Sequence, residues 1–132
     1  VNKKNIIFLK TVLDKKKHLA QFNLIDVSLD PFPYNGVTTS FESIWMGVPV
    51  LTLKGEKFVS RCGYSINKNA NLNGFIADNI NDYLNKAINF GSKDNILSLS
   101  KLRKSLREKI SSSSLFDSRS FAKNFASILK DI

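Results

Sequence analysis

Residues 27–53 constrain the fold of this chain more tightly than any other stretch. They read VSLDPFPYNGVTTSFESIWMGVPVLTL. A short apolar run is followed by a turn rich in Pro, Asn and Gly. Phe41, Ile44 and Trp45 then recur at i, i+3 and i+4, the spacing of one helix face, and Gly47 ends the pattern before a second apolar run. Residues 48–53 are apolar on both parities, which predicts a strand covered on both faces, as in a parallel sheet. Strand, helix and strand in this order predict a right-handed βαβ crossover. In such sheets ligands bind beyond the carboxyl ends of the strands, where the 30–39 loop must lie.

The chemistry of that loop suits an anion. Pro31 and Pro33 stiffen the exit from the strand, and Asn35 and Gly36 offer a turn where a positive φ costs little. The chain then enters the helix at Thr38 or Thr39. Amides at a helix start lack intrahelical partners and face the positive end of the dipole, so amides and hydroxyls can bind a diphosphate without a lysine. On spacing alone Thr38 and Thr39 fit two roles, phosphate ligand and N-cap. Glu42 likewise fits two: reaching back to ribose hydroxyls, or closing a capping box with Thr39.

The remaining chain extends the same alternation. Residues 6–9 (IIFL) read as a buried strand, and residues 15–22 as a brief amphipathic helix with Leu19 and Phe22 inward. Residues 58–66 begin another helix, residues 67–73 form an Asn-rich loop, and residues 74–77 form the last strand. Residues 81–90 form a helix with Tyr83, Leu84, Ala87 and Ile88. A longer helix over 94–110 carries Ile96, Leu97, Leu99, Leu102, Leu106 and Ile110, and a terminal helix over 118–132 turns Phe121, Phe125, Ile128 and Leu129 inward. The fold class expected is α/β, a Rossmann-like parallel sheet with flanking helices. One domain over residues 1–132, with terminal helices from about 93, accommodates the whole length.

A formal net charge of +9 resembles a nucleic-acid signal until it is divided. Residues 1–25 carry six Lys and one Asp, residues 93–132 nine basic and four acidic residues, and the middle five basic and six acidic residues. The excess therefore sits on both ends, where solvated helix faces account for it. A basic module binding nucleic acid through Lys3, Lys4, residues 15–17 and the 103–109 helix is the rival reading outside the enzymes. Cys62 is the sole cysteine. It permits no internal disulfide and reads as a small buried hydrophobe, so a reducing, cytoplasmic setting is the default. No apolar run approaches the ~20 residues that span a bilayer.

The 30–36 segment DPFPYNG, Thr38 and Thr39, Glu42, and the 45–50 segment WMGVPV together resemble the catalytic region of the O-linked N-acetylglucosaminyltransferase family and its SPINDLY-type relatives. The likeness continues through Val59, Ser60 and Arg61 and faintly to residues 114–117. It implies the carboxy-terminal, donor-binding half of a two-domain GT-B glycosyltransferase. It also implies an inverting enzyme that moves N-acetylglucosamine from UDP-GlcNAc to Ser or Thr hydroxyls of a protein acceptor, with no obligatory metal or other cofactor. A protein O-fucosyltransferase using GDP-fucose is the alternative within the superfamily.

By this resemblance Lys15 lies near the diphosphate and His18 near the base, as a Lys-x-x-His motif, while Thr38 and Thr39 contact the phosphates and Glu42 the ribose. Asn35 and Gly36 form the turn, and Gln21, Val37 and Arg61 stand at its margin. Gln21 replaces an Arg of a relative, and Val37 stands where some relatives carry a His and others a small or neutral residue. The absence of an initiator Met, with the resemblance, suggests a piece of a longer chain. Its acceptor-side half, a second donor-contacting Lys and tetratricopeptide repeats would lie upstream, and the piece alone is expected to be inactive.

Overall fold

The computed structural model describes residues 3–130. Three strands, β1 (Ser28–Leu29), β2 (Val50–Leu53) and β3 (Ile76–Ala77), form one parallel sheet in the order β1-β2-β3. Ser28 pairs with Val50 and Leu29 with Leu51, while Thr52 pairs with Ile76 and Leu53 with Ala77. All four residues of β2 are buried, as its unbroken apolar pattern requires of a central strand. The helices are α1 (Lys15–Ala20), α2 (Thr38–Trp45), α3 (Cys62–Asn69), α4 (Ile80–Phe90), α5 (Ile96–Ser111) and α6 (Ser118–Lys130).

Ile44 of α2, Val50 of β2, Ile66 of α3 and Leu99, Leu106 and Ile110 of α5 share one apolar cluster with Leu72 and Phe75. Phe75 stacks on Phe90 with ring centroids 4.5 Å apart. Buried Asn67 donates to the carbonyls of Val50 and Phe75, at 2.7 and 3.1 Å, and so ties α3 to β2 and to the turn before β3. Asp14 caps α1 by accepting from the Lys17 amide at 2.8 Å. Gly47 ends α2 at φ +80°, and a Cβ there would lie 2.8 Å from the Arg103 carbonyl oxygen. Both the backbone hand and the close approach of α5 demand glycine.

Several sequence expectations are corrected. Residues 6–9 are not a strand: they lack regular structure, and Ile7 and Phe8 are strongly exposed. A β-branched apolar run states a preference for burial but not what covers it, and no described element packs over this segment. The same holds for α6, whose Phe121, Phe125, Ile128 and Leu129 face solvent instead of turning inward. Leu84 and Ile88 on α4, and Ile96 and Leu97 on α5, are exposed as well. The last strand is shorter than expected because residues 73–75 form a 3₁₀ turn. The third helix starts later, after a 3₁₀ turn at Phe58–Ser60, and runs into the Asn-rich segment as far as Asn69, with Asn71 at φ 58° closing the turn. No helix among the described residues is long and apolar enough to cross a membrane.

Candidate functional site

The loop between β1 and α2 leaves the sheet at the carboxyl end of β1 and folds under itself. The Asp30 amide donates to the Leu51 carbonyl at 2.9 Å as the last rung of the β1–β2 ladder. The Asp30 carboxylate then accepts from the Gly36 amide at 2.7 Å and from the Thr52 hydroxyl at 2.8 Å. Asn35 is buried, and each end of its amide is used within the protein: Nδ2 donates to the Pro31 carbonyl at 3.1 Å and Oδ1 accepts from the Gly63 amide at 3.2 Å. Its side chain therefore shapes the turn, with both ends of the amide engaged within the protein.

Gly36 does not use the positive φ that the sequence suggested. Among the described residues Gly47 is the glycine in that region. Gly36 is required for space: a Cβ there would lie 2.7 Å from Thr39 Oγ1 and 2.9 Å from Ser40 Oγ. The Ser40 hydroxyl donates back to the Gly36 carbonyl at 3.0 Å and fixes the entry to α2.

The start of α2 departs from the capping box. Thr38 is the first helical residue, and the residue before it is Val37, which makes no side-chain cap. The Phe41 amide donates to the Val37 carbonyl at 3.0 Å, whereas among the described residues no acceptor reaches the amides of Thr38, Thr39 and Ser40. Thr38 and Thr39 are exposed beside these amides. Their hydroxyls do not cap the helix. A helix start with three unpartnered amides and two exposed hydroxyls beside them has the chemistry that can receive an anion.

Glu42 turns toward α1 and not toward its own helix start. Its Oε2 lies 3.3 Å from His18 Nε2, with both side chains partly exposed. His18 also meets the Phe22 ring edge-on at 6.1 Å. The pair joins α1 to α2 and sets His18 beside the exposed threonines' helix. Lys15 stands exposed in the first turn of α1. Gln21 is half-buried and donates weakly to the Lys10 carbonyl at 3.4 Å.

Arg61 and Val37 lie farther along, together in the wall of a pocket of about 430 Å³ with Phe41, Cys62 and Leu115. The Arg61 guanidinium donates to the Gly55 carbonyl at 3.1 Å and lies over the Tyr64 ring, 4.8 Å from its centroid. Cys62 is half-buried and its thiol approaches the Phe58 carbonyl. A larger cavity of about 990 Å³ opens on the other side of the loop, between Phe32 and Pro33, the 53–60 segment and the start of α4. None of Lys15, His18, Thr38, Thr39 or Glu42 lines it.

Sequence reasoning assigned no role to Asp30, Thr52, Gly63 or Tyr83. Thr52 carried a signal, being a hydroxyl within the buried run VLTL, where a polar side chain needs a partner. The partner is Asp30, whose carboxyl is pushed above its ordinary value by burial, against the lowering effect of the Gly36 and Thr52 hydrogen bonds. The Tyr83 hydroxyl of α4 donates to the Asp30 carbonyl at 3.2 Å, and burial, then the nearby Asp30 charge, raise its own pKa.

The chain and its fold have counterparts among known proteins. The chain is 40% identical over 124 residues to a probable UDP-N-acetylglucosamine–peptide N-acetylglucosaminyltransferase SPINDLY of Solanum lycopersicum, a match covering 94% of this chain and 13% of that protein. It is 34% identical over 120 residues to the probable UDP-N-acetylglucosamine–peptide N-acetylglucosaminyltransferase SEC of Arabidopsis thaliana, covering 90% of this chain and 12% of that one. The chain thus spans about an eighth of the length of these relatives. A mutant O-GlcNAc transferase of Thermobaculum terrenum superposes with a TM-score of 0.80 at 34% identity, over 90% of this chain and 22% of that chain. The parallel sheet and its flanking helices match the GT-B-like Rossmann fold of that enzyme. The model of glycosyl transferase family 41 matches residues 1–125, and the chain belongs to that family.

Proposed function

We propose that residues 1–132 act as one nucleotide-sugar-binding domain of a protein O-glycosyltransferase, holding UDP-GlcNAc for transfer of N-acetylglucosamine to Ser or Thr hydroxyls. The observation that carries this reading is the uncapped start of α2, with exposed Thr38 and Thr39 beside three unpartnered amides. Membership of a glycosyltransferase family and the names of its relatives support it.

As the glycosidic bond to the diphosphate breaks, negative charge grows on the leaving phosphate. Amides, hydroxyls and the Lys15 ammonium directed at that charge lower the barrier, because they stabilise the transition state more than the ground state. The Glu42 carboxylate accepts from ribose hydroxyls, and His18 lies against the base. An acceptor hydroxyl attacking from the face opposite the diphosphate, as the bond to the departing UDP breaks, inverts the anomeric centre, and no residue of this chain is assigned to position that hydroxyl.

Calorimetric titration of the chain with UDP and GDP at 50 and 200 mM salt tests the reading. We expect weak but saturable UDP binding that changes by less than about tenfold between the two salts, where a phosphate-backbone binder loses about 10³ or more. Preference for GDP would favour a GDP-fucose donor. Binding of neither nucleotide, with salt-sensitive binding of duplex DNA or RNA, would contradict it.

A further inference from the structure

Asp30 is the one buried carboxylate of the described chain, and the donor site as described leaves it without a task. Four elements converge on it. Its carboxylate receives the Gly36 amide of the loop and the Thr52 hydroxyl of β2. Its carbonyl receives the Tyr83 hydroxyl of α4. From α3, Gly63 packs so closely that an added Cβ would lie 2.3 Å from both Asp30 Oδ2 and Thr52 Oγ1. The Gly36 end of this network lies directly against Thr39 and Ser40.

We propose that Asp30 is a positioning residue for the donor site: its carboxylate fixes the Gly36 amide and thereby sets where the first turn of α2 presents Thr38 and Thr39. The proposal rests on the donor-site reading above. Its chemical logic is that a carboxylate accepts with both oxygens at once, and charge-assisted hydrogen bonds are about twice as strong as neutral ones. An Asn side chain here can still accept from the Gly36 amide and donate to the Thr52 hydroxyl, but it holds the Gly36 amide only by a neutral, weaker bond.

A stabilising role alone predicts the opposite balance. Burial holds the Asp30 carboxyl above its ordinary value, so its contribution to folding is greatest below the usual Asp range and is lost as pH rises through the raised value. Above that raised value the ionised group costs stability. Removing its charge should spare the fold and impair the site, a split that separates positioning from structure.

The test compares Asp30→Asn with Thr52→Val in this chain at pH 7, reading melting temperature, Gly36 amide exchange by NMR, and UDP affinity. We expect Asp30→Asn to melt within about 3 °C of the wild type, to exchange Gly36 faster, and to bind UDP about tenfold more weakly. Thr52→Val should melt lower yet keep UDP affinity within about twofold, because the Gly36 contact survives.

Unchanged UDP affinity in Asp30→Asn overturns the proposal. Equal losses of affinity in the two variants, in proportion to melting temperature, overturn it too. Absence of UDP binding by the wild type overturns the donor-site reading itself, an outcome distinct from either. If Asp30→Asn does not fold, pH titration of the wild type decides. Among the described residues Tyr83 is the titratable side chain in hydrogen-bond contact with Asp30, and its hydroxyl, raised from an ordinary value already far above the carboxyl range, titrates well apart from it. Movement of the Gly36, Thr38 and Thr39 amide resonances together with the Asp30 carboxyl supports the proposal, and movement of Gly36 alone overturns it.

Discussion

Glu42 shows how a residue's role changes once its neighbours are known. In sequence it completes a capping box with Thr39, but in the structure it reaches across to His18 at 3.3 Å and leaves its helix start open. A partly exposed pair of this kind contributes about 0–1 kcal/mol. Glu42→Gln is therefore expected to cost less than about 1 kcal/mol of stability and to weaken UDP binding by about 10- to 150-fold, the worth of a charge-assisted contact to ribose. Melting curves and titration of the variant check both halves. A large stability loss with unchanged affinity would remove Glu42 from the site. A half-buried carboxylate with a cation beside it behaves differently from Asp30. The Lys86 ammonium at 2.8 Å and the Asp78 amide hold the Asp82 carboxyl below its ordinary value. That contribution is present above the usual Asp range and is lost as pH falls through the lowered value. Exchange of the Asp78 amide should therefore quicken in acid, and a rate that shows no acid-induced departure from the unfolded-peptide trend would contradict this. Lys15, His18, Thr38, Thr39 and Glu42 were legible as site candidates through the resemblance of their spacing to a family motif. The task of Asn35 was not, because nothing in the order of residues shows that Gly63 comes to meet its side chain.

At the scale of elements, periodicity and punctuation carried most of the fold. The β1-α2-β2 unit follows the alternation in residues 27–53, and the parallel pairing of β1 with β2 agrees with it. Gly47 marks the end of α2 for two reasons that a sequence shows only in part, the positive φ and the Arg103 carbonyl. Gly47→Ala should destabilise the chain by about 1–2 kcal/mol or more. Gly91 lies at φ −78° with its nearest added-Cβ contacts at 3.5 Å or beyond, so Gly91→Ala should be neutral or stabilising by up to about 1 kcal/mol. Urea denaturation of the two variants checks the contrast, and equal effects would contradict the geometric account. Helix α6 was predicted correctly as a helix and incorrectly as a covered one. Its amphipathic spacing fixes which face is apolar, but coverage depends on elements that the spacing does not mention.

For the whole molecule, charge and exposure matter more than any single contact. Part of the basic excess is engaged within the protein: Arg103 pairs with Asp26 at 2.7 Å, and Arg107 lies over the Trp45 ring at 4.4 Å. The loop bearing exposed Tyr34 and Thr38 opens to solvent at the carboxyl edge of the sheet, as half of a cleft would. On this account the 132-residue chain binds donor but does not by itself transfer sugar to a protein, and transfer by the chain alone would contradict the account.

The central claim, that the start of α2 holds a diphosphate, is tested most directly by an amide NMR titration of the chain with UDP and uridine. The account predicts that UDP shifts the amides of Thr38, Thr39 and Ser40 along with the His18 side chain, and that uridine, lacking phosphates, leaves the three α2 amides in place. Shifts at those amides that are the same for UDP and uridine, or UDP shifts confined to the cavity beside Phe32 and Ile80, would contradict it.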